Sequence, residues 1–179
     1  MVELKRETKE TRIRIKLEKG TGRAAVQLPD AFARHMFETF AKWSGFDLTL
    51  EAESLDGIGH HVIEDAAIAL GRAFRQAVDT GRIERVGHAY VPMDDALVMA
   101  AIDLVERPYY HGQLPDPMMD HVMRSFATEG GLTLHVVVIH GRDEHHIVEA
   151  AFKAVATAVR KATEARGERL STKGDVRLT

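Results

Sequence analysis

A chain of 179 residues with 45% hydrophobic content can bury a full core, and its formal charge of −3 gives no electrostatic case for nucleic acid or an anionic membrane. It has no cysteine, which excludes disulfides, thiol nucleophiles and thiolate metal sites and leaves histidine and carboxylate as the metal ligands. No apolar run approaches the roughly 18 residues of a membrane span. The charged start Met1-Val2-Glu3-Leu4-Lys5-Arg6-Glu7 also lacks a signal-peptide stretch, so a cytoplasmic protein is expected.

Residues 11–17 alternate (Thr-Arg-Ile-Arg-Ile-Lys-Leu) as a half-buried strand should. Residues 31–43 and 117–128 have helical apolar spacing, and residues 96–105 and 132–139 are strand candidates rich in Val, Leu and Ile. Gly20, Gly22, Gly45, Gly57, Gly59 and Gly141 mark turns. Residues 66–71 and 150–159 read as Ala-rich amphipathic helices, and each follows a copy of one short pattern. The copies are His60-His61-Val62-Ile63-Glu64 and His145-His146-Ile147-Val148-Glu149, 85 positions apart. On a helix the first His and the Glu are i and i+4 and can close on one metal ion. The second His points about 100° away, so each motif offers ligands in two directions. Adjacent histidines at a helix start are ordinarily exposed and inert, but two copies in matching apolar contexts suggest two metal ions held between paired helices.

The likeness of the halves extends upstream. His35-Met36-Phe37-Glu38-Thr39-Phe40-Ala41 pairs with His121-Val122-Met123-Arg124-Ser125-Phe126-Ala127, and the strand-like Asp47-Leu48-Thr49-Leu50-Glu51 with Gly131-Leu132-Thr133-Leu134-His135. Two copies argue for a duplicated domain rather than a solenoid. The expected fold is α+β, an internal duplication of two half-domains, 1–90 and 91–179, forming one compact unit. Each half is a small mixed sheet with helices on one face. His88, His111 and His140 read as ordinary surface histidines. His121 reads equally as pocket wall or ligand, and Trp43, Phe32, Phe37 and Phe40 as core or interface.

From about Arg6 to Gly174 the chain resembles the imidazoleglycerol-phosphate dehydratases of histidine biosynthesis. The resemblance rests on Arg6-Glu7-Thr8-Lys9-Glu10-Thr11, His35-Met36, Phe46-Asp47-Leu48, both His motifs, Met93-Asp94-Asp95-Ala96-Leu97, Asp103-Leu104-Val105-Glu106-Arg107-Pro108, Phe152-Lys153-Ala154 and Ser171-Thr172-Lys173-Gly174, in order. It implies elimination of water from D-erythro-imidazole-glycerol phosphate to give imidazole-acetol phosphate, with two Mn ions per active site binding the ring as an imidazolate. It implies the ligands His35, His60, His61, Glu64, His135, His145, His146 and Glu149. Glu10 is implied as a proton shuttle, where its pattern alone reads as a solvated strand charge. Asp94 fits the family's Met-Asp-Glu-Ala-Leu stretch, reading equally as a second catalytic residue and as a local turn or strand-end residue. The positions matching the phosphate site are Arg85, Arg107, Lys153, Ser171 and Lys173. Lys153 also stands four residues after Glu149 on one helical face. Trimers assembling into a 24-mer are implied, with no nucleic-acid or membrane partner.

Several neighbours of the ligands depart from the family pattern. Ile58-Gly59 and Val62 replace two acids and a Thr around the first His pair, and Leu28-Pro29-Asp30-Ala31-Phe32 replaces a Thr-Gly-x-Gly-Phe entry. Thr39 replaces a frequent Gln, Trp43 a frequent His, and Asp143 an Asn. The competing expectations are a paralogous metal-dependent lyase acting on another phosphorylated substrate and a non-catalytic, metal-assembled oligomer.

Overall fold

The computed structural model describes residues 1–167, and in it the chain runs through one order of strands and helices twice. The first half is β1 (Val2–Glu7), β2 (Thr11–Lys19), β3 (Ala24–Gln27), α1 (Ala31–Ser44), β4 (Phe46–Ser54) and α2 (Gly59–Ala77). The second is β5 (Val86–Met93), β6 (Ala96–Asp103), β7 (Tyr109–His111), α3 (Pro117–Gly130), β8 (Thr133–His140) and α4 (Glu144–Ala162). The sheets share one mixed topology, β1-β2-β4-β3 and β5-β6-β8-β7. In each, only the last pair is parallel, as a strand–helix–strand crossover requires. The α+β duplication read from the repeat is therefore present. β5 crosses the expected division at 90/91, because the second sheet opens at Val86.

The helix ends follow local chemistry. The Asp30 carboxylate accepts the Ala33 N–H to start α1, and Gly45, at φ 77°, closes it in the left-handed conformation that a residue with a Cβ resists. Asp116 caps α3 ahead of Pro117, and Asp143 caps α4 by accepting from the His145 and His146 N–H groups. The Asn-to-Asp departure at position 143 thus keeps a capping acceptor. Gly59, expected in a turn, is instead the first residue of α2.

Alternation in the central strands turns Ile13, Ile15, Leu17, Leu48 and Leu50 inward from the first sheet. Val98, Ala100, Ile102, Leu134 and Val136 do the same from the second. α2 covers the first sheet and α4 the second, while α1 packs on α4 and α3 on α2. Each helix pair therefore joins the two halves, and one contiguous core results. A buried polar tie fastens β1 to this core: Arg6 Nε and Nη2 donate to Asp65 of α2 at 3.0 and 2.8 Å, and the Thr11 hydroxyl donates to the other carboxylate oxygen.

α4 lies so close to β5 that only glycine fits at position 87. A Cβ there would lie 2.0 Å from the Ala158 carbonyl oxygen and 2.8 Å from the Ala162 nitrogen. Both obstacles are backbone, so neither can rotate away. Gly87→Ala is expected to lower stability by about 3 kcal/mol, read as a reduced denaturant midpoint with an unchanged slope. An unchanged midpoint would show that α4 shifts at no cost.

Candidate metal centre and active site

The cross-half helix pairing decides which histidine meets which glutamate. His35 of α1 lies 3.6 Å from Glu149 of α4, and His145, one turn before Glu149, lies 3.3 Å from the same oxygen. The second cluster mirrors the first: His121 of α3 is 3.0 Å from Glu64 of α2, and His60 is 3.5 Å from it. The i, i+4 geometry read from the sequence is formed in both helices. Each cluster gains its third member from the other half of the repeat, which the motif alone did not disclose. His121, open between wall and ligand, faces Glu64.

The spacing suits a cation. Two donors about 2.1 Å from one ion are about 3.0 Å apart at a right angle and about 3.4 Å apart at a tetrahedral angle. The observed His–Glu separations of 3.0–3.6 Å lie close to that range pair by pair, and neutral imidazole with carboxylate is a donor set for Mn, Fe or Zn. Among the described residues, the three side chains whose donor atoms all come within 4.8 Å of one another are Glu10, Asp56 and His61. Burial alone pushes the Glu149 carboxyl upward. Lys153, His35 and His145 together outweigh burial and hold it below its ordinary value.

The second histidine of each pair points elsewhere, as the helical geometry requires. His61 Nδ1 lies 2.6 Å from Asp56 Oδ2, and His146 Nδ1 lies 2.7 Å from Asp95 Oδ1. Those hydrogen bonds raise the affinity of both imidazoles for a proton. Asp56 is held below the usual carboxylate range by the Ile58 N–H and then by His61, and Asp95 by His146 and then the Arg142 and Asp143 N–H groups. Glu10 is exposed, with Oε2 3.8 Å from His61 Nδ1. Asp94 adopts φ 47° in the two-residue β5–β6 turn and lies 3.3 Å from His146 Nε2.

His135 is not brought to either cluster. It faces outward from β8, its ring centroid 5.5 Å from that of Tyr109 and 5.8 Å from that of His111. Of the residues matched to a phosphate site, Arg85 pairs with Asp103 at 2.9 Å. Arg107 is exposed in the loop after β6. The Lys153 ammonium lies 2.8 Å from Glu149 and 5.5 Å from the centre of the Trp43 ring. Ser171 and Lys173 lie outside the described residues. Trp43, expected in core or interface, is 37% exposed, whereas Phe37 and Phe40 are buried and Phe32 stacks against His145. Sequence reasoning missed Asp56 and Asp95. Asp95 had a signal, since the 85-position offset of the His motifs also relates it to Glu10. Asp56 had none, because its repeat position is Gly141.

Comparison with known proteins agrees with this architecture. The family model for imidazoleglycerol-phosphate dehydratase matches residues 29–159, from the start of α1 into α4. The imidazoleglycerol-phosphate dehydratase of Pyrobaculum calidifontis is 45% identical over 184 residues, covering 95% of this chain and 97% of that protein. The enzyme of that name from Solidesulfovibrio magneticus is 42% identical, covering 96% and 95%. The crystal structure of IGPD from Pyrococcus furiosus superposes with a TM-score of 0.85 at 33% identity, covering 97% of this chain and all of that one. Repeat, fold and coverage lead to one conclusion: the chain is an enzyme of the imidazoleglycerol-phosphate dehydratase family.

Proposed function

We propose that this chain dehydrates D-erythro-imidazole-glycerol phosphate to imidazole-acetol phosphate at a dinuclear Mn centre. The observation that carries the reading is the twin cluster. His35, His145 and Glu149 hold one set of donors, and His60, Glu64 and His121 hold its mirror image. Bound there, the ions would supply Lewis acidity that stabilises the deprotonated imidazole ring of the substrate. The chain's own groups do the rest. Glu10, exposed and close to His61, is placed to move a proton at the reacting carbons, and Asp94, 3.3 Å from His146 Nε2, is the second carboxylate of the reading. Lys153 keeps Glu149 ionised. Arg107 is the exposed cation among the described phosphate-site matches, with Ser171 and Lys173 as further phosphate ligands.

The centre is best completed between copies of the chain. His61 and His146 diverge from the clusters, and His135 stands on the outer face of the second sheet. That face carries a cross-strand row of Tyr90, Met99 and Val137, with Ile139 exposed beside it. The matching face of the first sheet is a charged ladder in which Lys5, Arg14 and Glu51 lie in register. An apolar outer face calls for cover, and a charged one does not. Trimers built into a 24-mer would bring His135 of one copy to a His pair of another. Among the described residues no helix is long and apolar enough to cross a membrane. Membership of a family of biosynthetic enzymes is what supports the cytoplasmic location we propose.

The test strips the purified protein with a chelator and follows dehydration of imidazole-glycerol phosphate together with particle mass by light scattering. Activity and the large particle should disappear together and return with Mn. A particle indifferent to the chelator would remove the inter-copy metal bridges from this reading. Full turnover without metal would remove the dinuclear centre.

A further inference from the structure

Glu10 and Asp95 are repeat mates. The 85-position offset that carries His61 onto His146 carries Glu10 onto Asp95, and each stands directly before the first residue of its hairpin's second strand. They nevertheless meet their histidines differently. Asp95 takes His146 Nδ1 at 2.7 Å, whereas Glu10 stands 3.8 Å from His61 Nδ1. In the first half the contact at 2.6 Å belongs to Asp56, in the loop between β4 and α2. One hydrogen bond has been built twice, from positions the duplication does not relate. That loop sets Asp56 for the task. Its Oδ1 accepts the Ile58 N–H at 2.9 Å and lies 3.2 Å from the Ser54 hydroxyl, which leaves Oδ2 for the ring. Gly57, at φ 78°, makes the turn between the two.

We propose that Asp56 is the positioning residue for His61, as Asp95 is for His146, and that by holding the ring it leaves the turn carboxylate Glu10 uncommitted for proton transfer. A carboxylate on Nδ1 fixes the tautomer and orientation of an imidazole, so that Nε2 presents its lone pair to a cation. The first half thereby divides between two residues what would otherwise compete for one. In the second half Asp95 holds Nδ1 of the ring, while its neighbour Asp94 lies 3.3 Å from Nε2. This inference rests on the dinuclear reading, since His61 must be a ligand for its orientation to matter.

The experiment titrates Mn into chelator-stripped full-length protein and follows free Mn by electron paramagnetic resonance, with kcat and KM measured alongside. Asp56→Ala should weaken Mn binding at one of two sites by roughly 10- to 100-fold. Asp56→Asn, whose amide oxygen can still accept from Nδ1–H, should recover most of that loss, with kcat restored once Mn is saturating. Ser54→Ala removes one of the two contacts that set Asp56 while leaving its carboxylate on the ring, and should weaken Mn binding less than Asp56→Ala does. A loss as large as that of Asp56→Ala would overturn the assignment of the role to the Asp56 carboxylate. If Asp56→Ala binds Mn like the parent, or if Asn is as damaging as Ala, the positioning role is overturned while the dinuclear reading stands. A parent chain that takes up no Mn overturns both.

Discussion

On the proposed dinuclear centre, Glu149→Gln should lower kcat/KM by on the order of 10³-fold or more, because metal-ion assistance would contribute several kcal/mol of transition-state stabilisation and about 4 kcal/mol corresponds to that factor. The side chain keeps its volume, so the effect is one of charge. Glu149 is the shared partner of His35 at 3.6 Å and His145 at 3.3 Å, and an amide there leaves two imidazoles without an anionic co-ligand. It also leaves the mostly buried Lys153 ammonium without its counter-ion at 2.8 Å, a loss of about 2 kcal/mol of stability. Glu64→Gln separates the two effects. Glu64 has the same histidine geometry, with His121 at 3.0 Å and His60 at 3.5 Å, and no lysine paired to it among the described residues. It should match the activity loss with little change in stability. Bound Mn counted by atomic emission, steady-state rates and denaturation midpoints decide the matter. Turnover near the parent level in both Mn-loaded variants would remove the glutamates from the centre.

Asp65→Ala should cost about 3 kcal/mol, the low end for breaking a buried ion pair because Arg6 is partly solvated. Against the 5–15 kcal/mol typical of a folded domain, that is a large fraction of the total. Asp65 gathers three donor groups, the Arg6 Nε and Nη2 and the fully buried Thr11 hydroxyl. Alanine leaves all three without their acceptor. Arg6 lies on the edge strand β1, so the loss should be local first: amides of Val2–Glu7 should exchange faster with solvent than those of β2. The turn carrying Glu10 follows β1 directly, so turnover should fall even where the core persists. Equal exchange in β1 of parent and variant would show that β1 is held by its ladder to β2 alone. Asp65→Asn, which keeps an acceptor of the same volume, should cost less.

The strands legible in the sequence and those that were not divide along a physical line. Residues 11–17, 47–51, 96–105 and 132–139 were read as strands, and they are the central strands β2, β4, β6 and β8. The four missed, β1, β3, β5 and β7, are all edges. A central strand shows its period through a buried face, as Ile13, Ile15 and Leu17 do. An edge strand is short or carries charge: β7 has three residues, and β1 alternates Glu, Lys and Glu against solvent. The helices were legible for the same reason, since each has one apolar stripe and most have a capping aspartate.

By itself the sequence determined the duplication, the central strands, the four helices and the i, i+4 pairing of His60 with Glu64 and His145 with Glu149. Apart from the duplication, which shows as one pattern written twice 85 positions apart, these are short-range facts, set by period and spacing along one element. Only the tertiary structure decided that His35 of the first half serves Glu149 of the second and His121 serves Glu64. It also decided that Asp56 holds His61 and that one sheet turns a charged face outward and the other an apolar one. Those follow from which helix packs on which and where a loop folds back. Such contacts join residues tens of positions apart, and the local pattern around each residue does not encode them.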